Sequence, residues 1–379
     1  MEKHIKAPFL GTLKQQFKYK SYSPPKIERP FRWKDEKIDV LLEEAVRLLG
    51  ELNVYSKLVP DVDFFIRMHI VKEAASSSRI EGTKTGIEEA ILSKDEVRPE
   101  ERDDWEEVQN YIKSMNYAIS KLDRFPISIR LIKKIHEVLL SGVRGEYKQP
   151  GEIRVSQNWI GGTNPNDAFF VPPHHGEVPD LLSDLEKYWH NENLDIPILI
   201  KVAVSHYQFE TIHPFLDGNG RVGRLLIVLQ LISKRYLQKP TLYISDFFEK
   251  NRNVYYDALS QVRITGEVDR WIKFFLNAVI KTSEKGIETF DQIIKLKKTY
   301  DKKILSLGGK AEKASKLVEI MYSKPKMNVN EASEVLGVSY VTANELVNDL
   351  KRLNLLKEST GYSRNRAYVL YEYLGLFKK

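Results

Sequence analysis

The segment Leu225-Leu226-Ile227-Val228-Leu229-Gln230-Leu231-Ile232 is apolar on every side, and no Gly or Pro interrupts the chain after it before Pro240. A helix of that composition has no face to offer water, so the spacing predicts a buried helix around which the rest of the chain folds. Directly before it stands His213-Pro214-Phe215-Leu216-Asp217-Gly218-Asn219-Gly220-Arg221-Val222-Gly223-Arg224. The buried helix therefore starts among glycines, where free backbone N–H groups and the positive end of the helix dipole attract an anion. Arg221 and Arg224 share one face of the first turn and can both reach a polyphosphate. Asp217 offers a hard oxygen to Mg²⁺, and His213 titrates near neutrality and can take a proton from a hydroxyl. These residue types, so spaced, describe a site that holds a nucleoside triphosphate while it is attacked.

The same stretch resembles the signature of Fic-domain proteins, His-Pro-Phe-x-Asp-Gly-Asn-Gly-Arg-x-x-Arg, with every fixed position present. The resemblance implies a mainly α fold: a Fic-type helical core with a short β-hairpin flap. It implies transfer of AMP from ATP to a Ser, Thr or Tyr hydroxyl of a protein, with release of pyrophosphate. His213 would be the general base and Asp217 the Mg²⁺ ligand. Gly218, Asn219 (backbone and side chain) and Gly220 would cradle the phosphates. Arg221 would hold the β-phosphate and Arg224 the γ-phosphate, with Val222 and Gly223 between them in the nucleotide-binding stretch.

The chain has no cysteine, which excludes disulfides, thiolate nucleophiles and zinc–thiolate sites. A net charge of +7 over 379 residues is mildly basic and permits acidic or nucleic-acid partners without requiring them. The N-terminal residues lack the apolar core of a signal peptide, and no apolar run is long enough to span a membrane. A cytoplasmic protein without membrane contact is expected.

Residues 1–33, with Ser23-Pro24-Pro25 and Pro30, read as an extended arm packed on the rest of the chain, or as a partly disordered tail. Residues 34–125 read as an N-terminal helical region. Its first helix runs from Lys34 to Gly50, further ones cover 83–94 and 103–122, and between them lies a helix with Phe64, Phe65, Met68, Ile70, Val71 and Ala74 inward. That helix closes in Ser77-Ser78-Arg79-Ile80-Glu81-Gly82, where Gly82 suits a left-handed helix end. Ser77 and Glu81 share one face there, and a Glu in a last turn opposes the dipole and asks for a cationic partner. The pattern is similar to the Fic family's inhibitory motif, Ser/Thr-x-x-x-Glu-Gly/Asn. The resemblance implies that Glu81 pairs with Arg224, draws it off the γ-phosphate and leaves ATP poorly aligned for attack.

Residues 126–278 read as the Fic core. Helical periodicity stops between Gly142 and Pro173, where Trp159, Ile160, Gly161 and Gly162 mark a short hairpin. In the family such a flap holds a target segment as an added strand. The helix at 197–211 leads into the signature, and its His206 reads as structural, as does His136 on the helix at 128–140. The family resemblance implies that Tyr256, and after it Tyr255, lie beside the nucleoside, where aromatic faces can line an adenine pocket. A linking helix is expected over 279–309, with its helical part from Val279 to Leu307 and an end at Gly308-Gly309.

Residues 310–379 resemble a winged helix-turn-helix domain. The turn follows Gly337, Ser339 caps a second helix, and a wing turns at Gly361. Glu345 and Asp349 lie beside Lys351 and Arg352 on that helix, and basic residues cluster at Arg364 and Arg366 on the wing. DNA binding is therefore one possible use of this domain, and protein docking or homodimerisation is preferred. Two further readings stay open: removal of AMP from a modified protein by the same site, and a nucleotide-sensing winged-helix regulator. The protein substrate can include the chain itself.

Overall fold

The computed structural model describes residues 8–58, 62–359 and 366–378. At its centre two helices, α7 (Ile198–Ile212) and α8 (Asn219–Ser233), pack on each other and are buried along almost their whole length, as their unbroken apolar composition requires. The signature loop is the connection between them.

The N-terminal region supplies α1 (Lys37–Leu58), α2 (Val62–Ile80), a single turn α3 (Ile87–Ala90) and α4 (Arg102–Leu122). Helix α1 runs through Gly50 rather than ending there. A helical glycine costs about 1 kcal/mol relative to alanine, and burial of Ala45, Leu48, Leu49 and Leu52 outweighs it. The helix expected over 83–94 shrinks to α3, since Gly82 and Gly86 break it and Glu89 accepts from the Gly86 N–H to start the turn afresh. Helix α2 is buried on nearly all sides, polar residues included: His69, Lys72, Glu73, Ser76, Ser77 and Ser78 are each at most 2% exposed. It packs against α4, α8 and α9 (Ile244–Lys250).

Helices α5 (Ile129–Leu139) and α6 (Val178–His190) flank the centre, and α10 (Arg252–Thr265) follows α9. Helix α11 is continuous from Asp269 to Leu305. The linking helix expected from Val279 thus starts ten residues earlier, and the boundary expected at 278/279 falls inside it. Its first turns bury Trp271, Phe275 and Leu276, whereas its later turns are charged, so one helix reads in sequence as two segments. It packs along α1.

Residues 1–7 of the N-terminal arm lie outside the described residues, and residues 8–33 are extended and packed. Strands β1 (Thr12–Gln15) and β2 (Lys20–Ser23) form an antiparallel hairpin, Phe9, Ile27 and Phe31 are buried, and Tyr22 N–H donates to the Val171 carbonyl at 2.9 Å. The flap between α5 and α6 is held as a hairpin by one antiparallel bridge, in which Ile160 and Phe170 exchange hydrogen bonds of 2.8 and 3.1 Å.

Beyond α11 come α12 (Ala311–Ser323), β3 (Lys326–Asn328), α13 (Val329–Leu336), α14 (Tyr340–Arg352), β4 (Lys357–Glu358), β5 (Ala367–Val369) and α15 (Tyr371–Gly375), with strand order β3-β5-β4, all antiparallel. Ser339 accepts from the Thr342 N–H and caps α14, as its position predicts. Gly361 and Arg364 lie outside the described residues. This unit packs on α2: Phe65 meets Tyr322 (ring centroids 4.8 Å) and Tyr373 (5.9 Å), and His69 meets Phe377 edge-on at 5.2 Å.

Candidate active site

Helix α7 ends as His213 takes a left-handed conformation, φ 50°, which turns the chain into the signature loop. Three side chains from outside the loop fix the turn. The His213 carbonyl accepts from Arg154 Nε at 2.9 Å and Asn158 Nδ2 at 3.1 Å, and Asn158 also donates to the Phe215 carbonyl at 2.8 Å. Phe215 stacks on His136 at 3.8 Å. His136 Nδ1 accepts from the Gly151 N–H at 2.8 Å, so its Nε2 carries the proton that the Asp217 carbonyl receives at 3.0 Å. His136 is therefore a neutral structural histidine, and burial pushes it down to about 4.

Within the loop the Asn219 side chain is taken up by the backbone, accepting from Phe215 N–H at 2.8 Å and donating to the Phe215 carbonyl at 2.9 Å. Asn219 is 2% exposed, so its amide locks the loop and is not free to cradle phosphate, as was expected of it. Val222 also contributes differently from the expectation. Its side chain is in the core, and its N–H closes the first helical bond to Gly218 at 3.1 Å. The N–H groups of Asn219, Gly220 and Arg221 precede that bond and have no protein acceptor among the described residues. They form the anion-attracting end of α8.

His213 is half-buried beside this end. Its Nδ1 lies 3.3 Å from the Glu210 carbonyl, a contact that suits Nδ1–H and leaves Nε2 as the basic nitrogen. Burial lowers its pKa from 6.5 to about 4, so the imidazole is neutral at pH 7. The Asp217 carboxylate accepts from the Gly218 N–H at 2.6 Å, and its side chain is 44% exposed.

Both signature arginines are buried and paired. Arg221 donates to Glu107 at 3.1 Å and lies 3.6 Å from Asp217. Arg224 donates through Nε to Ser77 Oγ at 2.9 Å and through Nη2 to the Ser77 carbonyl at 2.9 Å and Glu81 Oε1 at 2.6 Å. Burial opposes the charge of Glu81, but Arg224, with Arg221 and His213 behind it, outweighs burial and holds the carboxyl below its usual range. The approach needs glycines. A Cβ on Gly220 would sit 2.2 Å from Glu81 Oε1, and one on Gly223 would sit 2.2 Å from Glu210 Oε1.

Tyr255 and Tyr256 have different surroundings. Tyr255 is 1% exposed, and its hydroxyl contacts His206 Nε2 at 2.8 Å while His206 Nδ1 reaches the Gly223 carbonyl at 3.1 Å. It therefore supports the start of α8 from inside the core. Tyr256 is half-buried with Arg252 at 5.8 Å from its ring, and keeps an accessible face. In the flap Trp159 is 40% exposed, and Gly161 and Gly162 take φ of 70° and 68° in a turn tied by Asp167 to the N–H groups of Thr163 and Asn164. Sequence reasoning missed Glu107, Asn158 and Asp167, and assigned no task to Arg154. A Glu in a helix and an Arg between Ile153 and Val155 carry no local signal of a partner across the fold.

The Fic/DOC family N-terminal region matches residues 40–120 and the Fic/DOC family domain matches residues 126–231. A protein adenylyltransferase Fic of Aedes aegypti is 31% identical over 157 residues, 41% of this chain and 28% of that protein. A probable protein adenylyltransferase of Aquifex aeolicus is 27% identical over 242 residues, 62% of this chain and 70% of that protein. The chain thus spans less than a third of the mosquito protein's length. In fold, it is similar to a Fic family protein of Desulfovibrio desulfuricans, with TM-score 0.59 and 21% identity over 90% of this chain and 98% of that one. Residues 40–120 and 126–231 thus carry a Fic/DOC family N-terminal region and a Fic/DOC family domain, and the unbroken signature lies inside the second.

Proposed function

We propose that this protein transfers AMP from ATP to a hydroxyl side chain of a protein, and that Glu81 holds it at rest. The observation that carries the reading is the 2.6 Å pair between Glu81 and Arg224, set beside three free N–H groups at the start of α8. The names of the relatives, protein adenylyltransferase, support the same chemistry.

The acceptor hydroxyl attacks the α-phosphorus, and its proton passes to His213 Nε2. The bond to the leaving pyrophosphate breaks, with its charge received by Arg221, by Arg224 once Glu81 has released it, and by the free N–H groups of Asn219, Gly220 and Arg221. Among the described residues no cluster of three or more metal-ligating side chains exists, and Asp217 is a single exposed carboxylate. One carboxylate suits Mg²⁺ that takes its other ligands from phosphate and water, where it would neutralise charge on the phosphates. Tyr256 is the aromatic face for the base. Trp159 and Ile160 mark the flap along which the acceptor segment lies.

No helix among the described residues is long and apolar enough to cross a membrane, and cytoplasmic residence is part of the proposal. The C-terminal unit, read as a winged helix, is proposed as a protein-docking or dimerising module. Among the described residues Arg352 pairs with Asp349, and Lys351 and Arg366 pair with Glu358, which does not favour a basic patch.

ATP labelled at the α-phosphate, compared with ATP labelled at the γ-phosphate, tests the transfer. Label from the α-phosphate alone should appear on protein and vanish in His213→Ala. Label from the γ-phosphate, or label that persists in His213→Ala, would overturn it.

A further inference from the structure

Glu107 lies in α4, in the N-terminal region that also carries Glu81, and divides its carboxylate between two guanidinium groups. Oε1 accepts from Arg144 Nε at 2.9 Å and Oε2 from Arg221 Nη1 at 3.1 Å. The side chains of Glu107 and Arg221 are 8% and 4% exposed. Arg144 is anchored in turn by Asp104 at 2.5 Å, one helical turn before Glu107. Arg221 keeps capacity for a ligand, since its Nε–H is buried with no partner among the described residues and its Nη2 is 3.6 Å from Asp217.

The two carboxylates from the N-terminal region that meet the signature arginines are mounted in opposite ways. Glu81 follows the last residue of α2, its side chain is 35% exposed, and Gly82 beside it has φ 104°. It can swing away without unmaking packed structure. Glu107 is inside a helix and bridges two arginines, so its departure would strand Arg221 in a buried position. A group mounted like Glu81 suits a brake, and one mounted like Glu107 suits a support. Without Glu107, the nearest acid to Arg221 is Asp217, which would draw the guanidinium onto the carboxylate needed at the phosphates.

We infer that Glu107 is a positioning residue that aims Arg221 at the β-phosphate of ATP, so that the N-terminal region both restrains transfer through Glu81 and supports it through Glu107. The inference rests on the adenylyltransferase reading. Arg221 pre-oriented by a fixed acid avoids the rotamer entropy that a free arginine would lose on binding the phosphate.

The test uses three variants of the 379-residue chain: Glu81→Gly, Glu81→Gly with Glu107→Gln, and Glu81→Gly with Arg144→Gln. Calorimetry measures binding of AMP, ADP and ATP to each, and labelling from ATP gives the rate. Glu107→Gln should weaken ADP and ATP by about tenfold, the scale of one charge-assisted hydrogen bond, and leave AMP binding unchanged. Labelling should slow in parallel, with KM for ATP raised. Arg144, 57% exposed, tolerates replacement, and Arg144→Gln should shift the same quantities less. Affinity for ADP and ATP left unchanged by Glu107→Gln would overturn the inference, as would a uniform loss across AMP, ADP and ATP with a lowered melting temperature. Faster labelling in Glu107→Gln would overturn it too, by making Glu107 a second brake. If Glu81→Gly itself transfers no AMP, the adenylyltransferase reading fails, and the AMP–ADP–ATP comparison still decides the role of Glu107.

Discussion

Arg224 Nη2 lies 2.6 Å from Glu81 Oε1, with the arginine side chain 1% exposed and the glutamate side chain 35% exposed. The fixed partner is the arginine proposed to hold the γ-phosphate, and the partner able to leave is the acid. Ser77 adds two contacts to the same guanidinium, one through its hydroxyl and one through its carbonyl. Only the hydroxyl contact depends on the side chain. Ser77→Ala should therefore raise transfer by about fivefold or less, the scale of one neutral hydrogen bond, and by less than Glu81→Gly does. Initial labelling rates of the two variants side by side check the order. A Ser77→Ala rate equal to that of Glu81→Gly would mean that the hydroxyl, and not the carboxylate, restrains Arg224.

The His213 imidazole is held near 4 by burial, although the Glu210 carbonyl contact and Glu81 favour its charge. The base is the neutral form, which exists above that pKa. In the Glu81→Gly background kcat/KM should be level from about pH 6 to pH 8 and fall only as the pH nears the low pKa. A pH profile of labelling checks this, and an inflection near the ordinary value of 6.5 would contradict it.

Gly223 is a packing position. A methyl there would lie 2.2 Å from Glu210 Oε1 and 3.1 Å from Phe209, inside the interface of α7 and α8. Gly223→Ala should destabilise the fold by about 1–3 kcal/mol despite the better helix propensity of alanine. Urea titration gives the number, and a gain in stability would show that Glu210 moves aside freely.

Phe65 is 1% exposed and contacts Tyr322 and Tyr373 across the seam between α2 and the C-terminal unit. Phe65→Ala should cost about 3–5 kcal/mol in unfolding experiments. Because α2 also carries Ser77, the variant should release part of the restraint on Arg224 and label faster than wild type. Wild-type stability, or labelling unchanged in a destabilised protein, would separate the seam from the brake.

The centre of the fold was legible because α7 and α8 are apolar on every side, and the loop between them holds the signature in consecutive residues. The Glu81–Arg224 approach was legible through the family resemblance, since an acid in a last helical turn is ambiguous by itself. Helix α11 was misread where its apolar first turns give way to charged ones, a change of environment along one helix that mimics a boundary. The Asn219 side chain and Tyr255 were expected at the nucleotide and instead bond the loop and the core, for a common reason. Polar groups beside a ligand site look the same in sequence whether they face the ligand or bond the backbone and core that shape it. Glu107 was invisible because its partners, Arg144 and Arg221, are brought to it only by the tertiary fold.

The most direct measurement of the central claim is the intact mass of wild type, Glu81→Gly and Glu81→Gly with His213→Ala after incubation with ATP and Mg²⁺. The account predicts added AMP on Glu81→Gly, little on wild type and none on the double variant. Equal modification of wild type and Glu81→Gly, or none on either, would contradict it.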